Sequence, residues 1–138
     1  MAHERLNLII LAVDDFVRVV AFYRAAFGWQ QTVDVPVYAE FDMPGRQRLG
    51  IYEREGFGVN TGQVPLQIPT GALTGTELYF YAADIEQAIV RLEQAGAKKL
   101  SELRPRSWGD EAAYYADPAG NVIVLAREKN VQDVQDHG

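Results

Sequence analysis

From Leu6 to Val13 the chain is rich in Ile, Leu and Val, which favour a β-strand, and directly afterwards its apolar residues change period. Phe16, Val19, Val20, Phe22, Tyr23, Ala26 and Phe27 recur at three- and four-residue intervals, laying one apolar stripe along a helix. Asp14 and Asp15 precede the stripe and supply N-cap chemistry, and Gly28 closes it. The same layout returns in the second half. Glu77 to Ala82 reads as a strand, Asp84 as a cap, and Ile85, Ala88, Ile89, Leu92 and Ala95 as the buried face of a second helix closed by Gly96.

Each helix is followed by three short β-like segments. In the first half these are Gln31 to Val35, Tyr38 to Met43 and Arg48 to Glu53, separated by Pro36 and the turn Pro44-Gly45. In the second half they are Lys98 to Ser101, Ala112 to Ala116 and Val122 to Arg127, separated by the Pro105 to Gly109 loop and the turn Asp117-Pro118-Ala119-Gly120. The chain is thus one α+β domain of two βαβββ modules, at about 6–58 and 76–127. A Gly- and Pro-rich linker at 59–75 joins them, and a polar tail at 128–138 is expected to fray. A four-stranded sheet with one helix covers only one of its faces, so two such units must combine their bare faces or join a second chain. A concave cavity is the expected result, with strand order and the pairing of the halves left open.

Composition restricts what such a cavity does. The 138 residues fit one domain, and 48% apolar with 23% charged residues is ordinary for a soluble globular protein. No apolar stretch reaches the roughly 20 residues of a membrane span, and MAHERLNLII lacks a signal-peptide layout, so the cytoplasm is the expected location. Zero cysteines removes disulfides, thiolate zinc sites and cysteine nucleophiles together. A net charge of -6 with scattered Lys and Arg argues against a nucleic-acid surface. The two histidines, His3 and His137, both lie near a terminus, and neither a Gly-x-Ser-x-Gly elbow nor a phosphate-cradling glycine loop is present.

Four pieces together carry a resemblance. They are the opening strand ending Leu11-Ala12-Val13-Asp14-Asp15, the helix end from Phe22-Tyr23 through Phe27-Gly28-Trp29, the second strand running into Asp84, and Asp117-Pro118-Ala119-Gly120-Asn121. In this order, over about residues 6–127, the chain resembles the vicinal oxygen chelate superfamily of glyoxalases, bleomycin resistance proteins and extradiol dioxygenases. The resemblance implies paired βαβββ modules in a cupped mixed sheet, usually in a homodimer, around a cavity in which enzyme members hold a divalent metal. Its ligand positions, on the first and last strands of each module, fall here on Leu8, Gly50, Glu77 and Val124. Only Glu77 retains a donor, and one carboxylate with water holds such an ion too weakly. His3, five residues before Leu8, would lie roughly 17 Å away on an extended chain. No metal or other cofactor is therefore expected.

Glu77 shares a strand face with Tyr79 and Tyr81, so it is either a general base or ligand-recognition group inside the cavity or a solvated carboxylate at the strand edge. Tyr38, Tyr52, Phe57, Trp108 and Tyr115 are either flat walls of a small-molecule pocket or core. Trp108 stands out because it lies in the loop Arg104-Pro105-Arg106-Ser107-Trp108-Gly109-Asp110. Arg104 and Arg106 either clamp an anion or are solvated, and Arg48 is a further candidate for the same role. The expected ligand face is Leu8, Tyr38, Tyr52, Phe57, Glu77, Tyr79, Trp108 and Val124. The function expected from it is metal-independent binding of a small molecule, sequestering a drug or aromatic metabolite. The alternative is a lyase, isomerase or dioxygenase-type enzyme that uses Glu77.

Overall fold

The computed structural model describes residues 2–128, so His137 and all but the first residue of the expected polar tail lie outside the described residues. The elements run β1 (Leu8–Val13), α1 (Phe16–Phe27), β2 (Gln31–Val35), β3 (Tyr38–Met43), β4 (Gln47–Glu53), α2 (Arg54–Thr61), β5 (Glu77–Tyr81), α3 (Ile85–Gln94), β6 (Lys98–Pro105), β7 (Asp110–Ala116) and β8 (Val122–Glu128). They form two four-stranded sheets of orders β1-β4-β3-β2 and β5-β8-β7-β6. In each, the first strand runs parallel to the last and the other pairings are antiparallel. Ile10 stands beside Gly50 in the first sheet and Tyr79 beside Val124 in the second, so the two βαβββ modules repeat one pairing scheme.

Strand alternation decides which side chains meet the helices. Leu11, Val13, Ala39, Phe41, Leu49 and Ile51 in the first module, and Leu78, Ala113, Tyr115, Ile123 and Leu125 in the second, are buried in one continuous core. Helices α1 and α3 touch, and Val19, Phe22, Tyr23, Ile85 and Leu92 fill the space between sheets and helices. Phe27 stacks on Trp29 at 4.1 Å between ring centres, and Phe80 of the other module lies 5.0 Å from Phe27. No strand of one sheet pairs with a strand of the other. The halves are therefore joined through their helices, and each sheet keeps its opposite face open.

The helix ends differ from each other. Asp84 caps α3, accepting from the Gln87 backbone N–H at 3.3 Å. Gly96, at φ +102°, ends that helix with the Ala97 N–H on the Leu92 carbonyl and its own N–H on Glu93, a Schellman arrangement. Asp15 precedes α1 without a side-chain cap, and the Asp14 carboxylate instead pairs with Arg54 at 2.7 Å, which corrects the capping role expected of both. Helix α2 has no counterpart in the periodicity. Its sequence REGFGVNT holds two glycines and no apolar stripe, and it is fixed instead by Phe57 against Tyr52 and by Gly58, where a Cβ would meet Val64 Cγ2 at 2.7 Å. The segment expected as linker, 59–75, starts inside this helix.

A buried polar knot fastens the second module to the first. Asp117, before β8, accepts hydrogen bonds from the Tyr23 hydroxyl of α1 at 2.5 Å, from the Ala119 and Asn121 backbone N–H groups at 2.8 and 2.9 Å, and from Asn121 Nδ2 at 3.0 Å. Thr74 ties the linker to the same turn, its hydroxyl donating to Asn121 Oδ1 and its N–H to the Gly120 carbonyl. Gly120 is obligatory here, because its φ of +90° is left-handed and a Cβ would collide with the Ala72 carbonyl. Burial, then the negative charge of Asp117, pushes the Tyr23 phenol well up.

Candidate functional site

The open face of the first sheet is built by every second residue of its strands. Leu8, Ile10 and Ala12 of β1 lie beside Arg48, Gly50 and Tyr52 of β4, which face Asp42, Glu40 and Tyr38 of β3. Glu40 is only 5% exposed, and a buried carboxylate is costly unless its oxygens are paired. Tyr38 donates to one oxygen at 2.5 Å and Arg48 Nη1 to the other at 2.7 Å. Burial and the bond to Glu40 push the Tyr38 phenol above its ordinary range. This geometry requires Gly50: the Tyr38 hydroxyl would stand 2.5 Å from a Cβ at that position. Tyr52 packs 5.0 Å from Tyr38, and Phe57 meets Tyr52 edge-on at 6.1 Å.

On the second sheet the corresponding face carries Glu77, Tyr79 and Tyr81 of β5, Val122, Val124 and Ala126 of β8, and Asp110, Ala112 and Tyr114 of β7. Val124 is fully buried, in a small cluster with Ala112, Ala126, Tyr114 and Val122, so it supports this face from beneath. Above it, Tyr79 and Tyr81 both donate to Asp110 Oδ2, at 2.5 and 3.1 Å, and Trp108 Nε1 donates to the Tyr79 hydroxyl at 2.8 Å. The guanidinium of Arg106 lies 4.8 Å over the Tyr114 ring and donates to Ser101 and to the Glu102 and Ala112 carbonyls.

The expected ligand face thus divides between the modules. Leu8, Tyr38, Tyr52 and Phe57 gather on the first sheet; Glu77, Tyr79, Trp108 and Val124 belong to the second. Glu77 is exposed at the start of β5 with no hydrogen-bond or ion-pair partner among the described residues, so the burial that would concentrate its effect is absent in the single chain. Of the two readings of Tyr115, the structure takes the core. It is 1% exposed on the helix-facing side, its hydroxyl donating to Glu93 at 2.6 Å, while its neighbour Tyr114 takes the open face. Arg104 and Arg106 do not form a clamp, because Arg106 spends its donors on its own loop and strand.

Glu40, Tyr81 and Asp110 were not singled out as site residues. Asp110 was signalled only by following Trp108-Gly109, and Glu40 by alternating with Tyr38 on one strand.

The residues present do not fit the family's divalent metal. Leu8 and Val124 have no donor, the Gly50 position is filled by Tyr38, and Glu40, two residues along β3 from Tyr38, is already paired with Arg48. Among the described residues, no three Asp, Glu or His side chains come together.

A separate cleft of about 540 Å³ lies between the start of α1, the linker and the β7–β8 turn, lined among others by Arg18, Arg54, Leu66, Lys98 and Pro118. It contains none of the aromatic face residues. Of its cations, Arg54 is committed to Asp14 and the Pro65 carbonyl, so polar groups with flat walls converge better on the sheet faces. Among the described residues no helix is long and apolar enough to cross a membrane.

Comparison with known proteins agrees with this architecture. Residues 8–126 match the model of the glyoxalase-like domain. No curated protein sequence matches the chain. Among solved structures, a glyoxalase-related enzyme from Fulvimarina pelagi is similar at 20% identity, over 91% of this chain and 89% of the other, with a TM-score of 0.79. A glyoxalase/bleomycin resistance protein/dioxygenase from Nocardioides is similar at 19% identity, over 95% and 87%, with a TM-score of 0.78. Lactoylglutathione lyase from Agrobacterium tumefaciens reaches 23% identity, over 91% and 95%, at 0.68.

Proposed function

With residues 8–126 matching the glyoxalase-like domain model, the chain belongs to that family, a member of the vicinal oxygen chelate superfamily, and from this premise we propose that it binds a small molecule without a metal. The observation that carries the reading is the content of the family's ligand positions. Where a metal-dependent member places donors, this chain has Leu8, Gly50 and Val124 with Glu77 as the one donor left, and a tyrosine hydroxyl occupies the space over the glycine. What surrounds these positions is flat and mostly apolar: Tyr38, Tyr52 and Phe57 on one sheet, Tyr79, Tyr81 and Trp108 on the other. Such surfaces suit an aromatic ligand, with a few polar groups fixing its orientation. A second copy of the chain, set against these open faces, would turn them into the walls of a closed cavity and remove exposed aromatic surface from water.

Two measurements test this. Protein purified without chelators is expected to carry far less than one equivalent of metal; a stoichiometric, tightly held ion would overturn metal independence and favour the lyase, isomerase or dioxygenase reading. A thermal-shift panel of antibiotics and aromatic acids is expected to give at least one ligand that raises Tm, since binding to the folded state alone stabilises it. Tyr52→Ala for a ligand on the first sheet, or Trp108→Ala for one on the second, is expected to weaken that ligand by roughly tenfold, the worth of one lost aromatic contact. A ligand indifferent to both changes would show that binding lies elsewhere, with the cleft lined by Arg18 and Lys98 the next place to look.

A further inference from the structure

We propose that the open face of the second sheet is a site for an organic cation, with Asp110 as counter-ion and Tyr79, Tyr81 and Trp108 as aromatic walls. The inference rests on the small-molecule reading and specifies the ligand's chemistry. Asp110 is only 8% exposed, yet no Lys, Arg or His pairs with it among the described residues. Its Oδ2 is held by two phenols and its Oδ1 has no hydrogen-bond partner among the described residues. A carboxylate largely taken out of water, with its Oδ1 still touching solvent, and met only by neutral donors lacks the opposite charge that most offsets its desolvation. Arg106, four residues before it in sequence, directs its Nη2 onto Ser101 and the Glu102 and Ala112 carbonyls instead.

The walls suit a weakly hydrated cation. Tyr79 and Tyr81 stand nearly perpendicular, at 86°, with ring centres 5.8 Å apart, and Trp108 is fastened to the Tyr79 oxygen. Tyr81 and Trp108 remain 60% and 56% exposed, which is much aromatic surface to leave in water beside a carboxylate. A phenol that donates to a carboxylate gains electron density in its ring, and a ring face attracts cations through that density. Both phenols titrate above their ordinary value, Tyr79 chiefly through burial and Tyr81 chiefly through the bond to Asp110, so they stay neutral donors near neutral pH.

The same face already holds one such contact, Arg106 over Tyr114. On the strands nearest Asp110, β5, β7 and β8, the other charged groups of this face, Glu77 and Glu128, are acidic, and Glu128 lies opposite Asp110 in register; the basic Arg104 and Lys98 stand on the edge strand β6, beside Ala112 and Ala116. With a net charge of -6, the protein's field also favours a cation's approach. One carboxylate among rings is a poor metal site, so the class indicated is a quaternary or protonated alkylammonium carrying an aromatic group.

Calorimetric titration with phenyltrimethylammonium, benzyl alcohol and benzoate tests the charge preference directly. The cation is expected to bind in the millimolar range or tighter, and roughly tenfold more tightly than either other ring. Asp110→Asn and Trp108→Ala should each remove most of that preference. Because Asp110 is buried, Trp108→Ala, at an exposed loop position, carries the test if the first variant does not fold. Equal binding of all three rings, or failure of the cation to bind at low-millimolar concentration while the aromatic panel gives another ligand, overturns the cation site and leaves small-molecule binding intact. Silence of both the cation and the whole panel overturns the two readings together.

Discussion

Replacing Asp117 with Ala is expected to lower the free energy of unfolding by about 4 kcal/mol, unusual for one substitution outside the apolar core. The change removes four hydrogen bonds, those from Tyr23, Ala119 N–H, Asn121 N–H and Asn121 Nδ2. Bonds to a charged acceptor contribute about 1.5–3 kcal/mol each, and a buried donor left unpaired costs about 1–3 kcal/mol. The Tyr23 hydroxyl belongs to a side chain with no exposed surface, so water cannot replace the lost acceptor without opening the core. The position also joins α1 to the turn before β8, so its loss loosens the seam between modules as well as the turn. In urea, the midpoint should fall with little change in slope, as for a loss of stability in a still cooperative protein. Tyr23→Phe keeps the ring and leaves Asp117 three donors, and should cost only about 1–2 kcal/mol. A loss below about 1 kcal/mol for Asp117→Ala would mean that the knot is solvated in solution and does not hold the modules together.

That knot shows how far the sequence could be read. Asp117-Pro118-Ala119-Gly120-Asn121 was recognisable as a turn and, with three other pieces, as part of a family pattern. What it does depends on Tyr23, 94 residues away in sequence, and no local spacing encodes that contact. The helices α1 and α3 were legible because burying one face imposes a three- and four-residue period, and β2 and β3 because prolines and glycines bound them. Helix α2 was not, since two glycines hide it and packing against Tyr52 and Val64 creates it. Strand β6 extends past its expected end at Ser101 because two register irregularities interrupt the alternation a reader relies on.

The site was legible one face at a time. Alternation correctly put Glu77, Tyr79 and Tyr81 together, and the ligand-position reading put Gly50 and Val124 at matching places in the two modules. The same rule did not separate Tyr114 from Tyr115, because in a run of apolar residues the side facing the helix has to be fixed by the register with β8. Nor could it show that the hydroxyls of Tyr79 and Tyr81 converge on Asp110, two strand pairings and about thirty residues away.

Raising the pH above about 10 is expected to unfold the protein steeply, because its buried phenols resist ionisation. Tyr23 and Tyr115 have essentially no exposed surface, and their hydroxyls donate to Asp117 and Glu93. Burial first, and then the neighbouring carboxylate, raises both above the value of about 10 that a free tyrosine has in the unfolded chain. Below that value both states are protonated and these groups make stability independent of pH. Between the unfolded and folded values the native state binds more protons, so stability declines as pH rises, and the contribution is lost on passing through the folded value. Each group lowers stability by about 1.4 kcal/mol per pH unit, so the two together by about 2.7. Tyr38, half-buried and bonded to Glu40, adds to the decline, whereas the exposed Tyr81 adds little. Urea midpoints measured from about pH 9 to 11 should be flat at first and then fall, and tyrosinate absorbance should rise together with loss of the fold. Tyr115→Phe should reduce the slope by about one proton's worth. Tyrosinate signals that appear in full before unfolding would show that Tyr23 and Tyr115 reach solvent, and the packing of both modules around their shared helical core would have to be reconsidered.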